Sequence, residues 1–116
     1  MKIENAKIRS THLGLEDHGI MSFMLDLELA IGSQGFGGWA MDEWDEGKRK
    51  RLGTTFGMEC VKQILAVVGV DRWEKLPGKN IRIRRNGDGW NARIDAIGHI
   101  IEDKWFDPAK LYEEYK

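Results

Sequence analysis

Between Thr55 and Val68, apolar side chains recur at spacings of three to five residues, which places them on one broad helical face. Thr54 or Thr55 offers a hydroxyl that caps the first turn. Gly69 follows the last apolar turn, where a left-handed residue commonly ends a helix. The pattern therefore predicts a helix over residues 55–68 that the rest of the chain must cover.

The first two of the strands predicted before this helix lie at residues 2–15 and 20–29. The second alternates apolar and polar residues from Met21 to Leu29, the pattern of a strand with one buried face. The first loses its alternation near His12, which indicates a bulge or a bend. A polar cluster at residues 16–19 ends in glycine and predicts the turn between the two strands.

A hairpin is predicted after the helix. Residues 80–84 alternate, with Ile81 and Ile83 facing inward, and the Asn-Gly and Asp-Gly pairs of residues 86–89 are a strong turn signal. The return strand spans residues 90–101, with Ala92, Ile94 and Ala96 on one side and Arg93, Asp95 and Ile97 on the other. A short C-terminal helix begins after Asp107, which caps it, at Pro108.

These elements predict an α+β fold with one domain over residues 1–116. Three strands, a helix and a hairpin follow the order of a five-stranded, mostly antiparallel OB-like barrel or curled sheet, with helix 55–68 as its central plug. The competing architecture is a sandwich with the helix on one face of the sheet.

Residues 32–42 combine four glycines with two large aromatic side chains, Phe36 and Trp39. Glycine weakens a strand unless the backbone must bend or be closely approached. One interpretation is structural, with the glycines turning a corner of the sheet. The other is a binding surface on which Phe36 and Trp39 stack against a ligand.

Residues 43–52 change from acidic to basic within a few positions. The simpler interpretation is a solvated charged loop. The alternative is a set of phosphate contacts. That set comprises Lys48, Arg49, Lys50 and Arg51.

Composition narrows the function classes. The chain holds 18 basic and 19 acidic residues, a net charge of -1, so no global field attracts DNA or an anionic membrane. The single cysteine, Cys60, lies on the apolar helix face and is expected to behave as a small hydrophobe. No apolar stretch approaches the ~20 residues of a membrane span, and a reducing cytoplasm is the default location.

No catalytic, metal or cofactor motif stands out, so we expect a protein that is not an enzyme and holds no cofactor. The three histidines, His12, His18 and His99, lack the spacing of known metal ligands. The acidic side chains at residues 42–46 lie in the predicted charged loop, where nothing forces a perturbed pKa.

Five tryptophans lie mostly at the ends of predicted elements. Trp often covers the edge of a core, and it is also enriched at binding hot spots. Trp90 lies near three arginines of the predicted hairpin, and single-strand nucleic-acid sites combine rings and guanidinium groups in this way. These arginines are Arg82, Arg84 and Arg93.

Four segments resemble a family of small proteins encoded in tailed phages and prophages. They are GLEDHGI (14–20), QGFGGWAMD (34–42), the stretch 53–83, and AIGH with DKWFDP (96–108). The helix followed by LPGKNIRI is also similar to part of phage OB-fold single-strand-binding proteins. The resemblance implies a phage protein that acts in the host cytoplasm.

Three functions follow as expectations. The first is binding of single-stranded nucleic acid in phage DNA metabolism, with Arg82, Arg84 and Arg93 on phosphates and Trp39 or Trp90 stacking on bases. The second is inhibition of a host protein such as a defence complex, because the chain is near neutral and rich in aromatic residues. The third is a small-molecule site between Phe36, Trp39 and the glycines of residues 35–38.

Overall fold

A computed structural model describes residues 2–87 and 92–116 of the chain. It contains eight strands and two α-helices in those ranges, with single turns of 3-10 helix at Asp17–Gly19 and Trp73–Lys75. The strands and helices, in chain order, are β1 (Lys2–Leu15), β2 (Met21–Glu28), β3 (Ser33–Ala40), β4 (Asp42–Asp45), β5 (Lys50–Gly53), α1 (Thr55–Val68), β6 (Asn80–Arg85), β7 (Ile94–His99), β8 (Trp105–Phe106) and α2 (Pro108–Tyr115).

Six strands form one antiparallel sheet in the order β3-β2-β1-β6-β7-β8, and β4 pairs with β5 in a separate hairpin. Within the described ranges no ladder joins β3 to β7 or β8, so the sheet is curled and open. The predicted α+β class with a mostly antiparallel curled sheet is confirmed, and the sheet is compatible with an OB-like arrangement. The short strand β8 adds a sixth member to the five that were predicted.

Strand β1 pairs with both β2 and β6. Residues 2–7 pair with β6, whereas residues 7–15 pair with β2. The register shifts between Ile8 and Ser10, so the bulge lies at Arg9 rather than near His12. One long strand therefore joins the first half of the sheet to the second half.

Helix α1 covers the core, as its apolar pattern predicts. Cys60 and Ile64 are fully buried, the Thr54 hydroxyl accepts a hydrogen bond from the Gly57 amide at 2.9 Å, and Gly69 closes the helix with a φ of 90°. Gly57 is required by close approach, because a Cβ there would lie 2.4 Å from the Met41 carbonyl oxygen. The predicted span, cap and terminator of this helix are confirmed.

Three phenylalanines fill the interior between the two edges of the sheet. The rings of Phe36 on β3 and Phe106 on β8 are 6.1 Å apart in an edge-to-face arrangement, and Phe23 lies 6.5 and 6.3 Å from them. Such aromatic pairs stabilise a core beyond their burial alone. The curl therefore brings β3 close to β8 although four other strands lie between them in the sheet.

Strand β7 departs from the predicted alternation. Arg84 pairs with Ala96 and Arg85 with Ile94, so Asp95 is a bulged residue. Because a bulge reverses the alternation, Ile94 and Ile97 both face the core, while Ala96 shares the outer face with Arg84. The prediction that Ile97 lies opposite Ile94 is wrong, and residues 88–91 of the predicted turn and return strand lie outside the described residues.

The charged segment 43–52 is also not the loop that its composition favours. It forms most of the β4–β5 hairpin, in which Trp44 pairs with Arg51 and Asp45 with Lys50. Oppositely charged and aromatic side chains that pair across two strands stabilise a hairpin. The change from acidic to basic residues therefore reflects two strands of opposite charge.

Candidate functional site

A groove follows the edge of β3 that faces away from β2. On one side it is lined by residues 35–40 of β3, and on the other by side chains at the β6–β7 turn and the start of β7. Two adjoining cavities of about 230 and 270 Å³ share Gly37, Trp39 and Arg93. We call this feature the closure groove; its lining is Gly35, Phe36, Gly37, Gly38, Trp39, Ala40, Asn86, Arg93, Ile94 and Asp95.

The side of the groove formed by β3 is largely bare backbone. Gly37 has a φ of 138°, and a Cβ there would lie 2.4 Å from the Phe23 carbonyl oxygen. The register of β2 and β3 shifts next to it, between Ser22 and Met24. Glycine is therefore required at this bend, because any side chain would meet the backbone of β2.

The two aromatic residues predicted to stack on a ligand occupy different environments. Phe36 is only 3% exposed and belongs to the core. Trp39 is partly exposed, and its ring lies 6.0 Å from that of Phe56 and 6.4 Å from that of Tyr112. Trp39 is therefore the aromatic side chain that the groove presents, in an orientation fixed by its neighbours.

Arg93 supplies positive charge to the groove. Its side chain is exposed, and within the described ranges it forms no ion pair or side-chain hydrogen bond. Asp95, which also lines the groove, accepts a hydrogen bond from Arg84 at 2.9 Å. That pairing offsets the negative charge of Asp95 and leaves Arg93 available to an anionic ligand.

Arg82 and Arg84 lie on the outer face of the sheet and do not line the closure groove. Arg82 donates to the carbonyl oxygens of His99 and Glu102, each at 2.8 Å. Arg84 bonds the carboxylates of Asp95 and Asp107. Burial alone lowers the pKa of Arg84, but the two carboxylates outweigh it and raise that pKa above its usual value.

Trp105 makes a further contact with each of these two arginines. The guanidinium carbons of Arg82 and Arg84 lie 5.1 and 5.9 Å from its ring centroid, within the range of cation–π attraction. The ring packs over Gly98, where a Cβ would meet it at 2.7 Å. Sequence spacing gave no signal for this cluster, because it depends on the pairing of β7 with β8.

The four cations of the hairpin occupy two different environments. Arg51 forms an ion pair with Asp42 at 2.8 Å. Its hydrogen bond is the main reason that the pKa of Asp42 lies below the usual value. Lys48, Arg49 and Lys50 are exposed around the turn. Arg51 therefore anchors the base of the hairpin, while the other three face solvent.

A larger cavity, of about 760 Å³, lies beside the groove, between the base of the β4–β5 hairpin, the start of α1 and the end of α2. Tyr112 and Tyr115 line it, and each is 46% exposed. Sequence reasoning did not single out these tyrosines as candidate functional residues. Their spacing of three residues along a helix was the available signal that they share one face.

The remaining candidates do not converge on a metal site. Within residues 2–87 and 92–116, no group of three or more His, Cys, Asp or Glu side chains is arranged to hold a metal ion. His12 lies 3.6 Å from Glu16, and the Nδ1 of His99 accepts backbone hydrogen bonds from Ile101 and Glu102. The predicted binding residue Trp90 lies outside the described residues.

The chain matches no protein-family model and no curated protein sequence. None of the helices described is both long enough and apolar enough to cross a bilayer. Function is therefore inferred from the groove, its charges and the fold.

Proposed function

We propose that this chain is a non-enzymatic module that binds single-stranded nucleic acid in the closure groove. The observation that carries the proposal is the combination of Trp39, Arg93 and a glycine backbone in one groove of an OB-like sheet. The resemblance of four segments to phage proteins supports a role in phage DNA metabolism, in the cytoplasm of a bacterial host.

The chemistry of a single strand suits this groove. Unpaired bases stack on aromatic side chains, and the backbone follows a groove that carries positive charge. Trp39 offers a ring held in place by Phe56 and Tyr112. Base stacking with few phosphate contacts is also consistent with a net charge of -1.

Arg93 is the residue assigned to a phosphate. The predicted phosphate contacts of Arg82 and Arg84 would require displacement of hydrogen bonds to carbonyl oxygens and carboxylates. We therefore assign those two arginines a structural role in the proposal, as supports for β6, β7 and β8. Lys48, Arg49 and Lys50 extend the basic surface only if the strand reaches the hairpin turn.

Salt dependence measures the number of phosphates. Each contact to a single strand should lower the logarithm of affinity by about 0.7 per tenfold increase in salt. With Arg93 as the main groove cation, we expect a slope between about 0.7 and 1.4, which corresponds to one or two contacts. Titration of a fluorescent single strand over a range of salt concentrations gives this slope directly.

A charge-matched pair of variants tests the assignment. Arg93→Gln should weaken strand binding and reduce the salt slope by about 0.7. Arg72→Gln removes the same charge from an exposed position that does not line the groove, and it should leave both quantities unchanged. No binding of a single strand at low salt would overturn the proposal, and equal effects of both variants would refute the groove as the site.

A second candidate rests on the β4–β5 hairpin. Trp44 on this hairpin is 51% exposed, and its indole Nε1 donates to Glu46 at 3.0 Å. An exposed tryptophan among charges of both signs is the composition of a protein-binding hot spot, which favours inhibition of a host protein such as a defence complex. Capture of one stoichiometric protein from nuclease-treated host lysate, lost with Trp44→Ala, would support this candidate over the first.

A further inference from the structure

The 760 Å³ cavity adjoins the closure groove at Ala40. Ala40 lines both spaces, and Trp39 of the groove contacts Phe56 and Tyr112 of the cavity wall. A strand that stacks on Trp39 therefore has the cavity immediately beside it. The cavity volume lies within the range of small-ligand sites.

Three aromatic side chains line the cavity, those of Phe56, Tyr112 and Tyr115. The rings of Phe56 and Tyr112 are perpendicular at 5.3 Å, which fixes Tyr112 with nearly half of its surface exposed. Tyr115 lies one helical turn further along α2 and has no aromatic neighbour within the described ranges. Both rings offer a flat apolar surface to a planar ligand.

The charges of the cavity oppose a phosphate and suit an amino group. The carboxylate of Asp42 is taken up by Arg51, and Lys116 pairs with Glu113 at 3.1 Å. Glu43 lines the cavity, is exposed, and has no ion-pair partner among residues 2–87 and 92–116. An unpaired carboxylate repels phosphate and accepts hydrogen bonds from the exocyclic amino group of a base.

We infer that this cavity holds one base that bears an exocyclic amino group and is unstacked from its neighbours in the strand. The base stacks on Tyr112 and Tyr115 instead, and Glu43 accepts a hydrogen bond from its amino group. This inference rests on the proposed function, because the base belongs to a strand whose backbone lies in the closure groove. Thymine is disfavoured, since its carbonyl oxygens lie on both sides of its one ring N–H and face the carboxylate. The protein should therefore prefer strands of cytosine over strands of thymine.

Fluorescent homopolymers of deoxycytidine and deoxythymidine test the preference. The wild-type protein should bind the deoxycytidine strand more tightly, and Tyr115→Ala should weaken that binding by about 5- to 150-fold, the range for loss of one stacked base. Glu43→Gln should bring the two affinities together, because an amide also donates to the thymine carbonyl. Glu28→Gln removes an exposed charge that does not line the cavity, and it should leave the ratio unchanged.

The outcomes separate this inference from the proposed function. Tight binding of both strands without discrimination, or a ratio that Glu43→Gln does not change, overturns the base pocket and leaves the closure groove intact. An equal loss of preference in Glu28→Gln also overturns it, because general charge would then explain the effect. If neither strand binds at low salt, the proposed function and the base pocket are both overturned.

Discussion

At the scale of the residue, Arg85 holds parts of the sheet together that are not neighbours. Its side chain is 2% exposed and points inward because it continues the inward-facing alternation of Ile81 and Ile83 on β6. It bonds Glu4 on β1, Gln34 on β3 and the carbonyl oxygen of Ala92. A buried charge of this kind is tolerated only when its donors are satisfied. The curl that creates the closure groove therefore depends on it.

Removal of Glu4 should expose this dependence. Glu4→Ala leaves a buried guanidinium without its anion and should lower the free energy of unfolding by about 3 kcal/mol, the low end for a broken buried pair because the carboxylate is partly exposed. Replacement of both partners, Glu4→Leu with Arg85→Met, should cost less than Glu4→Ala. Urea denaturation measures both values, and Glu59→Ala, which breaks a surface pair with Lys62, should change stability by less than about 0.5 kcal/mol.

Cys60 provides a second residue-scale prediction. Burial raises the pKa of its thiol to about 12, compared with 9.0 for a free thiol. The native protein should resist alkylation at pH 8, and denaturant should restore the reaction, as followed by mass spectrometry. Because the folded state keeps the proton that the unfolded chain releases near pH 9, this contribution to stability is present below pH 9 and is lost as pH rises towards 12. Rapid labelling of the native protein would contradict the burial.

At the scale of the element, the sequence predicted what local chemistry determines. Helix α1 carries its cap, period and terminator within its own residues, so its bounds followed from sequence alone. The sequence alone did not predict which residues of β7 face the core, because the bulge at Asp95 depends on the pairing of β7 with β6. Of the closure groove, the sequence predicted only Phe36, Trp39 and Arg93 as candidate residues. It did not predict which of them face a ligand, because that depends on the curl of the whole sheet.

A core substitution tests the role of α1. Ile64→Ala should lower the free energy of unfolding by about 2–5 kcal/mol, because it removes a fully buried side chain and leaves a cavity. Met58→Ala on the same helix removes a side chain that is 61% exposed and should have a small effect. Equal losses of stability in urea denaturation would show that α1 is not packed as described.

The β4–β5 hairpin depends on one carboxylate at its base. Asp42 accepts hydrogen bonds from the Met21 amide and from Arg51. Asp42→Asn should reduce hydrogen-exchange protection of the hairpin amides, whereas Glu43→Gln should not. Because the pKa of Asp42 lies below its usual 3.8, its contribution to stability is present above about pH 3.8 and is lost as pH falls through the folded-state value. Unchanged protection in Asp42→Asn would refute this anchor.

At the scale of the whole molecule, the dimensions follow from β1. The protein measures 47 × 30 × 25 Å, and a strand of 14 residues spans about 46 Å at 3.3 Å per residue. Residues 2–6 of this strand pair only with β6 and residues 8–15 only with β2, so the two partner strands lie along successive halves of β1. The molecule is therefore elongated along β1, with the closure groove on the edge of β3.

The ladder between β1 and β6 also dictates an order of events during folding. It joins residues 2–7 to residues 80–85, and closure of so long a loop costs more chain entropy than formation of the β1–β2 hairpin. Sheets dominated by such distant pairings fold in milliseconds to seconds rather than microseconds. On the ribosome, the first three strands and α1 are synthesised well before β6 emerges. Until then the edge of β1 has no partner, and that interval is when the nascent chain is most exposed to aggregation and most dependent on chaperones.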